Sequence, residues 1–321
     1  MKLAKLGQLV MASPPVILIA LFIGLPVINA IGLSLGFTGG LNETLAATSR
    51  STISTTSWAP TWQAWQAVFE TSRFWEDLVV TILVTGLVTV IVVVVAWVLA
   101  LYLRLRPSRI SAILPTLAVA PMFIPGVIGA WALLNFWADD GLIGSLFTLM
   151  GVQPPGLGFT TPLVVIAQVW GSLPFAVLMI TSGVAGVPDA LIEAGRDAGA
   201  STARIIWSVI VPLATMPTII AGTFTAIGVI GSFTVPFLAG PNAPTMLGVS
   251  MTRYFNAYGE PQASVIMAIV VFVLASGIGA LYVWANWRGA GKDAAMIKKG
   301  RRRRPAADPV AANPAVVAGG Q

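Results

Sequence analysis

Six long apolar stretches divide the chain into regular segments. They cover residues 16–35, 78–103, 114–137, 163–184, 205–238 and 265–287. Each is close to, or longer than, the roughly 20 apolar residues that an α-helix needs to cross a bilayer. Aromatic residues typical of membrane–water interfaces lie near several of the ends (Trp137, Trp170, Tyr282, Trp284 and Trp287). The pattern therefore predicts an all-α integral membrane protein with about six transmembrane helices.

The composition supports this class. Of the 321 residues, 56% are hydrophobic and only 9% are charged, whereas soluble domains carry about 25% charged residues. Lys2 and Lys5 precede the first stretch as in a signal peptide, but the stretch is longer than a signal core of about 7–15 residues. We therefore interpret it as an uncleaved span, with residues 1–13 as an N-terminal segment and residues 14–288 as the membrane domain.

Basic residues are distributed unevenly between the two sides of the predicted bundle. If the N-terminus is inside and the chain crosses six times, fifteen of the 18 Lys and Arg residues lie inside. Seven of the 12 acidic residues, among them Asp77, then lie outside. The positive-inside rule therefore predicts that both termini are cytoplasmic. Residues 289–321 are predicted to form a disordered basic tail that either binds anionic lipid or only fixes the topology.

Several kinds of chemistry are excluded by the residues that the chain lacks. It contains no His and no Cys, so imidazole bases, thiolate nucleophiles and the common soft metal sites are absent. It also contains no GxxxxGK[ST] loop for nucleotide phosphates. Asp139 and Asp140 suit a solvated loop better than an acid–base pair. We expect no catalytic residue, no metal site and no cofactor bound by this chain.

The predicted outer loop, about residues 37–77, has a polar first half and an aromatic second half. Trp62, Trp65, Val68 and Phe69 recur at helical spacing. This spacing predicts an amphipathic helix on the outer membrane surface, since Trp often anchors helices at interfaces. The same aromatic residues also suit a site for a sugar or a cation.

Prolines interrupt the third and fifth apolar stretches. They are expected to kink these spans, either for packing alone or to let a pathway open and close. No charged residue lies in the middle of a span, which argues against an ion-coupled secondary transporter. Four polar residues within the spans either line a pathway or bond to neighbouring backbone (Asn135, Gln168, Ser172 and Ser232).

Charged residues concentrate in one cytoplasmic loop, about residues 186–208. Gly195 and Gly199 are one turn apart in the helix predicted there. A glycine inside a helix is unfavourable by roughly 1 kcal/mol relative to alanine, so a compensating contact is expected. The small face suits either a soluble partner or a packing face of the GxxxG kind.

This loop resembles a known signature. Glu193-Ala194-Gly195, three residues, Gly199, nine residues and then Val209-Ile210-Val211-Pro212 closely resemble the EAA motif of ABC-importer permeases. The chain departs from the family pattern at Gly195, where the family has Ala, and at Val209 and Val211, where it has Ile and Leu. The resemblance covers residues 62–287. Residues 235–255 are similar to the polyamine branch and more loosely to the branches for phosphonate, iron and thiamine.

The resemblance implies a type I importer permease of the bacterial inner membrane, with a cytoplasmic coupling helix between spans 4 and 5. That helix would dock on one of two ABC ATPase subunits, which bind ATP and Mg. A second permease subunit, usually a different chain, and an extracytoplasmic solute-binding protein would complete the system. No nucleic acid partner is expected. The implied ATPase-coupling residues are Glu193, Ala194, Gly195, Arg196, Asp197, Gly199 and Pro212. The implied substrate is a polyamine or a similar small polar or cationic solute, with phosphonate, iron, thiamine or sugar as alternatives.

Overall fold

The computed structural model describes residues 13–54, 59–106 and 108–302, and this part of the chain is formed by helices and loops without strands. The helices, in chain order, are α1 (Ser13–Ser34), α2 (Glu43–Thr48), α3 (Gln63–Phe69), α4 (Ser72–Leu105), α5 (Arg109–Val119), α6 (Gly126–Trp137), α7 (Leu142–Leu149), α8 (Thr161–Ala185), α9 (Asp189–Asp197), α10 (Thr202–Leu213), α11 (Thr215–Ile230), α12 (Thr234–Ala239), α13 (Leu247–Arg253) and α14 (Pro261–Arg302).

Six segments of the described chain have the length and hydropathy of a membrane span. Helices α1, α4, α8 and the first part of α14, Pro261–Trp287, are uninterrupted. The other two are bent pairs: α5 with α6 and α7, bent by 107°, and α10 with α11, bent by 67°. The prediction of an all-α membrane protein with about six spans is confirmed.

Prolines lie at both bends. Pro121 is in the 3-10 turn Ala120–Phe123 that ends α5, and Pro125 precedes the first residue of α6. Proline has no N–H to donate and its ring clashes with the preceding turn. The predicted kink of the third span is therefore a complete break, with two short helices meeting at a steep angle.

The fifth span ends earlier than predicted. Pro212 and Pro217 flank the bend at Ala214, and α11 stops at Ile230. The apolar run continues to residue 238, but residues 234–239 form the separate helix α12. The predicted range 205–238 was wrong at this end because hydropathy alone cannot distinguish a span from a short helix buried beside it.

Three helices form the centre of the bundle. Helices α4, α8 and α11 pack against one another, and their contact faces carry small or β-branched residues such as Val88, Ala176 and Ala221, all completely buried. Small side chains let helix backbones approach closely in a membrane, where no hydrophobic effect drives association. This cluster also includes Ile192 of α9 and Ile205 of α10, so these two helices are continuous with the core.

A second apolar cluster lies at the opposite end. The helix predicted from the aromatic spacing in the outer loop is α3, and its buried residues are Ala64 and Val68. They pack with Leu247 of α13 and Ile266 of α14. The buried side of α3 therefore lies on the protein, while Trp62 remains 60% exposed.

The last helix extends beyond its predicted end. Helix α14 continues to Arg302, so residues 289–302 are helical and the prediction of disorder was wrong for them. The stretch from Ala294 to Lys299 is rich in good helix formers, which lets the helix continue past the apolar run. The predicted tail beyond residue 302 and the first twelve residues lie outside the described part of the chain.

Candidate coupling helix and transport pathway

Helix α9 contains most of the predicted coupling residues. It begins after Pro188, whose extended backbone separates it from the end of α8, and Asp189 lies in its first turn. A negative side chain there is stabilised by the positive end of the helix dipole, and Arg196 in the last turn suits the negative end. Ile192 is buried whereas Glu193, Ala194, Arg196 and Asp197 are exposed. Ile192 thus packs α9 against the bundle, while these four residues remain accessible.

The helix ends in a glycine-dependent turn. Gly199 has φ = +73°, its N–H donates to Arg196 O over 2.8 Å, and the N–H of Ala200 donates to Gly195 O over 3.0 Å. These two bonds form a Schellman motif, in which a left-handed residue follows the helix. The prediction that Gly199 lies inside the helix was therefore wrong. The left-handed backbone accounts for the glycine at this position. A neighbouring atom does not, because a β-carbon added there would contact nothing within 4 Å.

Gly195 lies within α9 and faces the neighbouring helix. A β-carbon added at Gly195 would lie 3.1 Å from Cγ1 of Ile205, the residue that begins the buried part of α10. That separation is tighter than an ordinary van der Waals contact. The small residue at position 195 is thus explained by a contact within this chain.

An arginine from a distant helix anchors the start of α9. Nη2 of Arg104, near the end of α4, donates to Val187 O over 2.8 Å and to Oδ1 of Asp189 over 2.5 Å. Arg104 therefore links the end of the second span to the coupling loop. In the sequence, Arg104 counted only as one of the basic residues on the predicted cytoplasmic side. No local pattern indicates a contact between residues that are 85 positions apart.

The exposed face of α9 has unused polar groups. Among the described residues, no hydrogen bond or ion pair engages the side chains of Glu193, Arg196 or Asp197. Pro212 does not lie on this helix but in α10, beside the bend. The structure therefore gathers Glu193, Ala194, Arg196 and Asp197 on one short helix and leaves Pro212 apart from them.

Two of the predicted pathway residues lie together on α8. Gln168 is buried, and its Nε2 has no partner among the described residues. Ser172, one turn later, lines a half-open cavity of about 230 Å³ with Phe175, Phe224 and Thr225. The Thr225 hydroxyl, on α11, is also buried without a partner in the described chain. This surface between α8 and α11 can receive a polar group of a solute or of another chain.

The other two pathway candidates lie elsewhere. Asn135 is exposed on α6, and its Nδ2 donates to Trp131 O of the same helix over 2.8 Å. Ser232 is half-buried in the turn between α11 and α12. Neither residue lines the cavity beside Ser172.

A buried carboxylate was missed by sequence reasoning. Asp77 was placed in the outer loop, but it lies inside α4 and is only 1% exposed. Its Oδ1 accepts the N–H of Thr245 over 2.8 Å, its Oδ2 accepts the hydroxyl of Ser250, and Arg73 Nε lies 3.0 Å from Oδ2. One turn later, the hydroxyl of Thr81 accepts the N–H of Leu247 over 2.8 Å. These bonds attach Thr245 and the first half of α13 to the second span.

A second missed residue joins three segments. Gln262 is buried at the start of α14; its Nε2 donates to Leu33 O and Ile53 O, and its Oε1 accepts the N–H of Ile53. A cavity of about 300 Å³ lies beside it, lined by Tyr254 and Glu260 among others. Burial, and then the nearby Glu260 carboxylate, raise the pKa of the Tyr254 phenol. Gln262 has no local sequence signal, because its partners are more than 200 residues away. Asp77 has one local partner, Arg73, but Thr245 and Ser250 lie more than 160 residues away from it.

Comparison with known proteins decides the family. The sequence model described as "Binding-protein-dependent transport system inner membrane component" matches residues 92–287, more than half of the chain. The protein belongs to this family. It is a permease subunit of an ABC importer, as the resemblance of the coupling loop predicted.

Two of three similar permeases are named for different solutes. The probable ABC transporter permease protein y4oQ of Sinorhizobium fredii is 28% identical over 70% of this chain and 74% of its own length. The spermidine/putrescine transport system permease protein PotB of Escherichia coli is 29% identical over 58% of this chain and 68% of its own. The sulfoquinovosyl glycerol transport system permease protein SmoG of Agrobacterium fabrum is 24% identical over 87% of this chain and 90% of its own.

A solved structure shares the fold of the permease. A chain of a bacterial ABC transporter involved in the import of the acidic polysaccharide alginate superposes with a TM-score of 0.71 over 89% of this chain and 96% of the other. Sequence identity is 16%. The likeness confirms the predicted type I importer fold.

Proposed function

We propose that α9 of this permease is the coupling helix, which docks on an ABC ATPase subunit in the cytoplasm. The observation that carries the proposal is a nine-residue helix between the fourth and fifth spans. Its exposed Glu193, Arg196 and Asp197 form no side-chain hydrogen bond or ion pair within the described parts of the chain. Charged groups of both signs on a small exposed surface suit a polar protein partner better than lipid. The partner binds ATP and Mg, and this chain supplies no residue to hydrolysis.

The contacts of α9 explain how its displacement reaches the bundle. Arg104 ties its first turn to α4, and Gly195 packs against Ile205 at the start of α10. Only four residues, 198–201, separate α9 from α10. A shift of α9 by the ATPase therefore moves the ends of spans 2 and 5 together, and the bend at Ala214 lets α11 respond differently from α10.

The proposed docking can be tested by cysteine cross-linking, since the chain contains no cysteine of its own. The permease with Ala194→Cys is co-expressed with its ATPase subunit carrying a single surface cysteine in the docking cleft. A cross-linked permease–ATPase product is expected. The control is Glu43→Cys, exposed on α2 at the other end of the bundle, which should give no product. No product at residue 194 in membranes that hydrolyse ATP and transport would contradict the docking.

We further propose that the complete transporter contains two ATPase subunits, a second and different permease chain, and an extracytoplasmic solute-binding protein. The family description names a binding-protein-dependent system. A related transporter structure, with a TM-score of 0.70 to this chain, is described in complex with a substrate-bound periplasmic protein. Both termini of this chain then lie in the cytoplasm, consistent with its basic residues.

The proposed substrate is a polyamine or a similar small cationic solute. PotB, a spermidine/putrescine permease by name, supports this assignment. The cavity beside Ser172 adds aromatic rings, Phe175 and Phe224, whose faces attract cations. A sugar-containing solute is the second candidate, because the similarity to SmoG extends over 87% of this chain.

The substrate is tested by uptake in cells that carry the complete transporter and lack other polyamine importers. Labelled putrescine is expected to accumulate in an ATP-dependent manner, and unlabelled spermidine should compete. A neutral glycoside at the same concentration serves as the control. Accumulation of a labelled glycoside without putrescine uptake would assign the sugar class instead, while leaving the role of α9 untouched.

A further inference from the structure

A half-open cavity of about 450 Å³ lies among α4, α5 and α8, on the side of the bundle that carries α9. Most of its wall is apolar, and Leu103, Pro115 and Val184 contribute to it. Arg104 and Thr181 add polar groups at the same cavity. The cavity therefore combines an apolar wall with a guanidinium group at the end of a membrane span.

Two polar atoms at this cavity lack partners. Nη2 of Arg104 is used by Val187 and Asp189, but its Nε is buried without an acceptor among the described residues. The hydroxyl of Thr181 is buried without a partner in the same part of the chain. Leaving a buried donor of a charged group without an acceptor is unfavourable. The pair of donors indicates a ligand that brings oxygen acceptors and negative charge.

We propose that an anionic phospholipid of the cytoplasmic leaflet occupies this cavity, with its phosphate oxygens at Arg104 Nε and the Thr181 hydroxyl. One acyl chain follows the apolar wall. Basic pockets between transmembrane helices on the cytoplasmic side bind anionic headgroups in this way. Arg106 and Arg109, exposed at the adjoining ends of α4 and α5, add attraction for negative charge. The proposal rests on the orientation given under the proposed function.

This lipid would act on the coupling helix. The guanidinium that contacts the phosphate also holds Val187 O and Asp189 at the start of α9. A phosphate at Nε adds a further restraint on the Arg104 side chain. Anionic lipid is therefore expected to stabilise the hydrogen bonds that join Arg104 of α4 to the start of α9. In a zwitterionic bilayer these bonds are expected to be less stable.

The test uses the full-length chain, purified in mild detergent and placed in nanodiscs of phosphatidylcholine with increasing phosphatidylglycerol. Bound phosphatidylglycerol is counted by native mass spectrometry. Arg104→Lys, which keeps the charge but removes Nε, is expected to weaken retention about ten- to a hundredfold, the range for one charge-assisted hydrogen bond. Thr181→Val, which keeps the shape of the side chain, should weaken it in the same direction by less.

Two controls separate the site from general attraction and from misfolding. Arg106→Gln removes a neighbouring exposed charge and should change retention by about fivefold or less. Asp189→Asn breaks the ion pair but leaves Arg104 Nε in place, so retention should persist. Full retention in both Arg104→Lys and Thr181→Val would overturn the proposal.

Equal losses in Arg104→Lys and Arg106→Gln would also overturn it, because they would indicate diffuse attraction only. Displacement of phosphatidylglycerol by millimolar inorganic phosphate would show a site for free anions and refute the lipid assignment. Selective loss in the two cavity variants, without competition by phosphate, supports the lipid site. That result is independent of whether the ATPase docks on α9.

Discussion

Single side chains connect parts of this permease that are far apart in the sequence. Asp77 holds the N–H of Thr245 and the hydroxyl of Ser250 from inside α4, and Arg73 compensates its charge. A carboxylate that accepts several hydrogen bonds in a buried place organises the groups around it. Asp77 thereby fixes the segment that leads into α13.

Replacing Asp77 should destabilise the permease more than replacing its neighbour. In Asp77→Ala, the N–H of Thr245 and the hydroxyl of Ser250 lose their acceptor, and each unpaired buried donor is unfavourable by about 1–3 kcal/mol. Glu76→Gln, at an exposed position next in the chain, should have little effect. Thermal unfolding in detergent, followed by Trp fluorescence, measures both. Equal unfolding temperatures for the two variants would contradict the role of Asp77 as an anchor.

Gly199 should tolerate asparagine better than leucine. Its φ of +73° lies in the left-handed region, where a residue with a β-carbon is disfavoured by roughly 1–2 kcal/mol and Asn is less penalised than other types. Gly199→Leu is therefore expected to loosen the end of α9 and Gly199→Asn to preserve more of it. Hydrogen exchange of residues 189–200 in the purified chain measures the difference. If exchange is the same in both variants, the Schellman turn does not hold the end of α9.

At the scale of elements, the contact between α9 and α10 sets the residue at position 195. Alanine, the residue of the family pattern, would strengthen α9 by about 1 kcal/mol. Its β-carbon would also crowd Ile205, since only 3.1 Å would separate it from Cγ1. We expect these effects to offset each other, so that Gly195→Ala alone changes the opening free energy of α9 by less than about 0.5 kcal/mol.

A double-mutant cycle separates the two effects. In the background of Ile205→Ala, the crowding is gone and Gly195→Ala should stabilise α9 by close to the full helix-propensity difference, about 1 kcal/mol. Hydrogen exchange of α9 in the four variants gives the coupling energy. An identical effect of Gly195→Ala in both backgrounds would mean that the contact with Ile205 does not constrain this position.

At the scale of the whole molecule, the six-span arrangement predicts which loops share a side. Reporter fusions after Arg109, Arg204 and Lys299 should be active in the cytoplasm, and fusions after Val152 and Tyr258 should be active outside, in agreement with the positive-inside rule. Paired reporters for each compartment, fused at each site, check every position twice. An external location for the fusion at Arg204 would refute the docking of α9 on a cytoplasmic ATPase.

Composition and residue spacing were enough to predict the membrane class, the number of spans, the position of the short helix between spans 4 and 5, and the family. Each of these depends on local composition: a run of about 20 apolar residues indicates a span, and the spacing of Glu193, Gly195 and Gly199 indicates the loop. The helix α3 was predictable for the same reason, since the period of its aromatic residues is local.

The positions of the helix breaks and the contacts of each polar residue depend instead on how the folded segments pack. The fifth span stops at Ile230 although its apolar run continues, because packing and not hydropathy determines which apolar helix crosses. Arg104, Asp77 and Gln262 looked like surface or loop residues, yet each has hydrogen-bond partners that lie 83 or more positions away. Gly199 fitted a small helical face in the sequence and proved to be a left-handed turn residue. A one-dimensional pattern records periodicity and composition, whereas these contacts arise only when distant segments are brought together.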